Sequence, residues 1–502
     1  MATDTPNILL IMTDQQRADF SRADGFPLDT TPFIDSLGRR GVRFRRAYTP
    51  TPICAPARCS LMTGRFPKAN RVRQNWGLDN ITAPTNLTEI LRERGYSINL
   101  VGKNHTYLKP EDFHFIAPYG HRKGGRPGTR TALEKEADEW LSELASGTSL
   151  SLEPTPFPLE CQHPWRIVRD TIACVDGLDE EPFFLWVSFP EPHNPYQVPE
   201  PYFSLFPEGD VPERLAGPEA LEEKGPRWRW LHHLIESKCP DYDRHWRRYR
   251  ANYCGMLRLI DDQVARLLDA LEQRGLLENT IVIFTADHGD YVGDYGLQRK
   301  GVDMPDSLIR VPLTWCGPGI ESGEEPRPEF VSLVDVMPTL CEALDIEPPY
   351  GTQGRSLWPM LTGGDYPAEE FRSIYAEVGY GGLFYGEDEW PELHFDYEGV
   401  YFDELNAVTL SGNTKMVRMG KWKLYFDMMG RGRLYDVEDD PAELVDRYGD
   451  AELAEVRTQL LEELLEWTIR AEDDLPEGKA YKPKRCERNW YRAEKEDENY
   501  AG

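Results

Sequence analysis

YCGMLRLIDDQVARLLDALEQRGLLENTIVIFTADH, residues 253–288, contains one complete helix-to-strand unit. Apolar residues recur at Met256, Leu257, Ile260, Val264, Leu267, Leu268 and Leu271, the spacing of a single helical face. Gly275 stands where a C-terminal cap belongs, and Asn279-Thr280 leads into a strand, Ile281–Thr285. That strand is apolar throughout, as a strand covered on both faces of a sheet must be. Asp287-His288 follow its carboxyl end, two chemically active residues after an oily run.

The same texture recurs outward from this unit. Asn7–Met12, Ile98–Val101, Phe183–Phe189 and Pro312–Trp315 are short apolar runs of strand length with helical patterns between them. The expected fold is α/β, a large doubly wound and mostly parallel sheet flanked by helices. Ligands in such sheets bind beyond the carboxyl ends of the strands. Asp14-Gln15 follow the first strand, Lys103 and His105 the second, His193 the third and Asp287-His288 the fourth. Solvation alone gives no reason to gather such residues at four strand ends, so a shared site is expected there.

A chain of 502 residues is too long for one simple core, and a large domain with a smaller partner is the default. The texture changes near residue 365, so residues 1–365 read as the large domain that carries the strand-end site and 366–502 as a smaller α+β domain. Residues 377–404, dense in glycine, aromatic and acidic residues, read as a long loop or lid. Lys415–Arg418, Gly420–Tyr425 and Arg433–Asp436 read as a small antiparallel sheet, with a helix from about Ala451 to Arg470 packed on it.

Composition narrows the partners. The net charge of −29 argues against nucleic acid as a general partner, since a phosphate backbone would be repelled. An anionic substrate must then be drawn in by a local positive pocket. The apolar run Ile8–Met12 is too short for a signal segment or a membrane span. Nine scattered cysteines without metal-type spacing suit a reducing compartment, so the expected location is the cytoplasm, away from a membrane.

Within this frame lies Cys54-Ala55-Pro56-Ala57-Arg58. Proline suits a first helical turn, which would put Cys54 at a helix N-terminus, where backbone N–H groups favour an anion. Arg58, one turn on, can return to the same spot. On its own, a buried structural cysteine explains the pentapeptide equally well.

The surrounding motifs add a resemblance. Cys54-x-Pro56-x-Arg58 followed by Leu61-x-Thr63-Gly64-Arg65 resembles the signature of the type I, formylglycine-dependent sulfatases of the alkaline phosphatase superfamily. The likeness continues, in order, through Asp14, Gly102-Lys103-Asn104-His105, Pro192-His193-Asn194-Pro195, Thr285-Ala286-Asp287-His288-Gly289, Lys300-Gly301, Arg310–Leu313, Asp335–Thr339 and Leu434-Tyr435-Asp436. It implies an enzyme that hydrolyses a sulfate ester to an alcohol and inorganic sulfate. Cys54 would be oxidised to formylglycine by a separate formylglycine-generating enzyme. One hydroxyl of the hydrated aldehyde would attack sulfur, and the other would then expel sulfate.

The resemblance also assigns roles. Asp14, Gln15, Asp287 and His288, together with the group at position 54, would hold one divalent cation. Calcium is the first expectation, with manganese or magnesium as alternatives, because Gln15 and His288 replace oxygen-rich residues common elsewhere in the family. Arg58 would fix the hydrated aldehyde, and Lys103 and Lys300 would neutralise sulfate oxygens. His105 would take a proton, and His193 would give one to the leaving alkoxide.

Asn75 and Asn104 are weaker candidates for touching substrate. Arg227-Trp228-Arg229-Trp230 form a basic aromatic island that either steers an anionic sugar or packs its tryptophans inward; Arg122, Lys123 and Arg126 raise the same question on a loop. The expected substrate is a small sulfated carbohydrate or an alkyl or aryl sulfate, and a homo-oligomer is left open. The rival readings are a phosphonate monoester or phosphodiester hydrolase of the same superfamily, favoured by Asp14–Phe20 and Arg250–Gly255, and a non-catalytic sulfated-glycan binder.

Overall fold

The computed structural model describes residues 5–83, 85–178, 181–240, 242–381, 412–472 and 488–491. Of the expected lid, residues 382–404 lie outside this set. Twelve strands are described: β1 (Asn7–Asp14), β2 (Val42–Tyr48), β3 (Ser97–Gly102), β4 (Phe115–Pro118), β5 (Phe183–Pro192), β6 (Thr280–Ala286), β7 (Leu313–Cys316), β8 (Arg327–Ser332), β9 (Ser373–Val378), β10 (Thr414–Met419), β11 (Trp422–Asp427) and β12 (Gly432–Asp436). Five helices bear on the site or its support: α1 (Pro32–Arg39), α2 (Cys54–Thr63), α3 (Pro226–Lys238), α4 (Trp246–Gln273) and α5 (Ala454–Ala471).

The first eight strands form one sheet in the order β4-β3-β5-β1-β6-β7-β2-β8. From β4 to β6 all neighbours are parallel, whereas β7 runs antiparallel to both β6 and β2. The sheet is thus mixed but mostly parallel. Every residue of β1, β5 and β6 is buried, which is why these strands appear in the sequence as unbroken apolar runs.

Side-chain alternation splits the core into two layers. Ile8, Leu10 and Met12 of β1 face a cluster that includes Leu61 and Met62 of α2. Leu9 and Ile11 face the opposite cluster, which holds Ile260, Val264, Leu267, Leu268 and Leu271 of α4. The apolar face read from the sequence is therefore the face α4 buries. Its helix starts earlier than the apolar pattern suggested, at Trp246, and ends where Gly275 takes a left-handed φ of 67°.

β9 to β12 form a second, fully antiparallel sheet in the order β12-β11-β10-β9. One face packs on α5 through Tyr375, Val417, Leu424, Leu434, Leu460, Leu464 and Trp467. The other, through Ile374, Ala376, Met416, Tyr425 and Tyr435, packs on the main body. The helix expected from Ala451 begins as a short 3₁₀ turn, Ala451–Leu453, before α5 proper.

Candidate active site

β3, β5, β1 and β6 are neighbours, so their carboxyl ends lie side by side. Asp14 ends β1, Lys103 follows β3, His193 follows β5 and Asp287-His288 follow β6. All five side chains are buried. Gly102 makes the turn that presents Lys103. Its φ is 123°, and a Cβ there would lie 1.9 Å from the Ser188 carbonyl oxygen, so only glycine fits between β3 and β5. The Lys103 N–H then donates to that same oxygen at 2.8 Å.

From the other side comes α2. Cys54 is its first residue, and Pro56 lies in the first turn, where the missing N–H costs nothing. Gly64 closes the helix in a left-handed conformation, its N–H donating to Ser60 O. The helix therefore delivers Cys54 and, one turn on, Arg58 into the strand ends.

Four ligand-type atoms converge there. One each from Asp14, Cys54, Asp287 and His288 lie within 4.8 Å of one another, and all four residues are buried. Cys54 Sγ is 3.1 Å from His288 Nε2 and 3.7 Å from Asp14 Oδ1. His288 Nδ1 lies 2.8 Å from the Gly289 carbonyl oxygen, which calls for the proton on Nδ1 and leaves the Nε2 lone pair facing the cluster.

Arg58 arranges the carboxylates. Its Nε donates to Asp287 Oδ2 at 2.8 Å and its Nη2 to Asp14 Oδ2 at 3.3 Å, while Nη1 is held by Ser188 Oγ and the Lys103 carbonyl. Lys103 Nζ also donates to Asp14 Oδ2. The outer carboxylate oxygens are thus occupied by cations, and the Oδ1 atoms face His288 and Cys54.

The field of the site follows from these neighbours. Burial raises the Asp14 pKa, but the cations around it, Lys103 first and Arg58 with it, outweigh burial and hold the carboxyl well below the ordinary range. Burial and Asp14 push the Cys54 thiol up, yet the lysines Lys103 and Lys300 help hold it well below the usual thiol value. Burial and Lys103 lower His105, keeping its imidazole neutral and able to accept a proton at neutral pH. His105 itself sits at a left-handed φ of 47°, a conformation that functional sites often hold.

This donor set suits a divalent cation: two carboxylates, an imidazole lone pair and the sulfur of Cys54. Gln15 is differently engaged. Its amide oxygen accepts from Lys300 Nζ at 2.9 Å, its amide nitrogen donates to Asp290 Oδ2 at 2.7 Å, and its backbone N–H reaches Asp287 Oδ1.

The weaker candidates separate. Asn75 Oδ1 accepts the Ala55 N–H at 3.1 Å, beside Cys54. Asn104 is occupied by its own turn, donating to Leu108 O and accepting from Thr106. Trp228 is corrected: it lies 1% exposed in the apolar core, its indole N–H donating to Asp303 and its ring packed against Tyr291 and Tyr295. No sugar can stack on a face buried among tyrosines. Arg227 pairs with the same Asp303 at 3.7 Å. α3 thus packs its tryptophans inward, the blander of the two readings.

Three residues of the site went unread in the sequence. Ser188 lies inside an apolar strand, with nothing to single it out. Asp290 accepts from Gln15, from Tyr196 at 2.6 Å and from the Val292 and Arg299 N–H groups; its place three residues past Asp287 was the available signal. His121 contacts both Lys103 and His193.

Comparison with known proteins agrees with this geometry. The profile of the family described as Sulfatase matches residues 6–346, and the chain belongs to that family of sulfuric ester hydrolases. An arylsulfatase of Clostridium perfringens is 29% identical over 495 residues, covering 91% of this chain and 94% of its own. A choline-sulfatase of Rhizobium meliloti is 29% identical, covering 88% and 82%. Among solved structures, a phosphonate monoester hydrolase of Agrobacterium radiobacter superposes with a TM-score of 0.75 at 26% identity, over 93% of this chain and 96% of its own.

Proposed function

We propose that the chain hydrolyses a small sulfate ester at Cys54, after conversion of that residue to formylglycine by a separate enzyme. The observation that carries this reading is the convergence of Asp14, Cys54, Asp287 and His288 within 4.8 Å. Buried like charges pointing at one another are costly unless a cation joins them. Asp14, Asp287 and His288 would hold that cation with residue 54, and calcium or manganese fits the mixed donor set. When bound, it would polarise a sulfate oxygen and acidify the nucleophilic hydroxyl.

The chain's own residues supply the rest. The hydrated aldehyde at position 54 offers two hydroxyls, one to attack sulfur as the ester oxygen leaves, the other to regenerate the carbonyl as sulfate departs. Arg58, locked between two carboxylates, fixes the orientation of residue 54. Lys103 and Lys300 balance the charge that builds on the sulfate oxygens. His193 gives its proton to the leaving alkoxide; His105, neutral at rest, takes the proton released during elimination.

The relatives' names, an arylsulfatase and a choline-sulfatase, support aryl and alkyl sulfates of modest size, with a small sulfated sugar in the same class. Phosphonate monoester hydrolysis is the second reading, favoured by the likeness to a hydrolase of that class. The balance rests on Lys103 and His105 after β3, the loop that resembles the sulfatase form. Turnover of a sulfate and a phosphonate ester sharing one nitrophenyl leaving group tests it. The expected result is higher kcat/KM on the sulfate; preference for the phosphonate overturns the reading.

A further inference from the structure

β4 is the edge strand beside β3, and its carboxyl end opens on the same side as those of β3, β5, β1 and β6. The loop that follows is tied down. The Tyr119 N–H donates to Gly102 O at 2.9 Å, Gly120 N–H to Lys123 O at 2.9 Å, and Arg166 holds the Gly124 carbonyl. On this loop His121, half-buried, makes two contacts with the site. Its Nε2 lies 2.8 Å from Lys103 Nζ, and its ring stacks on His193 with centroids 3.7 Å apart and planes at 21°.

The chemistry of the two contacts differs. An ammonium has only protons to give, so His121 Nε2 facing it is an acceptor and the ring proton sits on Nδ1. Lys103 thereby has one proton on Asp14 and one on His121, which fixes its head and leaves the third for a substrate oxygen. The stack acts on His193, whose Nδ1 is set by the Asn194 carbonyl at 2.9 Å. With Nδ1–H given to the Asn194 carbonyl and the ring plane set by His121, the proton His193 gives to the leaving group is the Nε2 proton of its imidazolium.

We propose that His121 is a positioning residue that couples the sulfate-binding lysine to the proton-donating histidine, so that five adjacent parallel strands, not four, build the site. This rests on the sulfate-ester reading above. It separates into two halves, because a phenylalanine keeps the stack and a glutamine keeps the acceptor. The holoenzyme and its His121→Ala, His121→Phe and His121→Gln variants are compared on two sulfate esters, one with a nitrophenol and one with an alkyl alcohol as leaving group. A nitrophenolate leaves without a proton, whereas an alkoxide needs the one on His193.

The expected result is a split. His121→Ala lowers kcat/KM on the alkyl ester by about 100-fold and lowers kcat on the nitrophenyl ester by less than about tenfold. His121→Phe recovers kcat on the alkyl ester while KM stays raised; His121→Gln recovers KM while kcat on the alkyl ester stays low. Equal losses in all three variants on both esters mark His121 as a mere support of the fold and overturn the proposal, as does wild-type behaviour in His121→Ala. Should the wild-type enzyme prefer a phosphonate, the sulfate reading fails, and the same split is read on aryl and alkyl phosphonates.

Discussion

Two buried clusters of charge sit in this molecule, and they are built on opposite rules. Behind the small sheet, Lys423 and Arg433 each meet carboxylate counterparts. Lys423 Nζ, fully buried, gives its protons to Asp306 at 2.9 Å, Glu443 at 2.8 Å and the Met304 carbonyl at 2.7 Å. Glu443 also accepts from Tyr425, and Arg433 grips Asp303 with two bonds of 2.8 and 3.0 Å. At the ends of β1 and β6 the reverse holds: cations occupy the back of each carboxylate, and the front atoms are aimed at one another. A saturated cluster joins two layers of protein. A convergent one asks for something that is not protein.

The largest effect should come from the convergent cluster. Cys54→Ala is expected to lower kcat by roughly 10⁴-fold or more, as loss of a covalent nucleophile does, while the denaturation midpoint holds or rises. Steady-state rates and urea denaturation on one preparation check both halves. A variant that lost stability in step with activity would erase the distinction between the clusters.

Lys423→Met reverses the pattern. It leaves Glu443 without its cation and Asp306 with Arg418 alone, and a loss of about 3–5 kcal/mol in unfolding free energy is expected. Activity per folded molecule should be unchanged, because Lys423 lies against the small sheet and not the strand ends. Denaturant titration and rates corrected for the folded fraction provide the comparison.

Metal removal comes next. Exhaustive chelation should abolish turnover, and calcium or manganese should restore it. A saturating cation, at about 100 times its Kd, should raise the unfolding free energy by about 2.7 kcal/mol. That gain should persist in Lys423→Met and shrink when Asp287 is changed to Asn. Thermal shift with each cation tells the two metals apart.

A pH-dependent effect concerns a carboxylate held by two backbone amides. Asp261 of α4 accepts the Phe33 and Ile34 N–H groups at the start of α1, at 2.9 and 2.8 Å, and burial pushes its pKa up to about 7. The folded state then keeps a proton that the unfolded chain releases near pH 4. Stability from this group is complete below about pH 4 and falls as pH rises toward 7, by up to about 1.4 kcal/mol per unit. Asp261→Asn should flatten that part of the profile, measured as the difference in unfolding free energy from wild type at matched pH.

Much of this was written in the sequence, and what was hidden has physical causes. β1, β3, β5, β6 and β7 were legible because burial on both faces makes a strand apolar from end to end. β2 was not: its Arg43, Arg45 and Arg46 break the run, since its outer face is partly exposed. β4 offers only four residues, and with β4 hidden nothing placed His121 near Lys103 and His193. Arg122, one residue past His121, stood out only as a cation on a loop. Trp228 was ambiguous because a buried aromatic and an exposed one share a spelling; only packing against Tyr291 and Tyr295 decides between them.

The most direct measurement is the mass of the peptide spanning Cys54, taken from preparations of graded activity. If residue 54 is the nucleophile as a formylglycine, turnover per molecule should rise in proportion to the fraction carrying an aldehyde in place of the thiol. Full sulfate release from a preparation whose Cys54 is wholly an intact thiol would contradict the account.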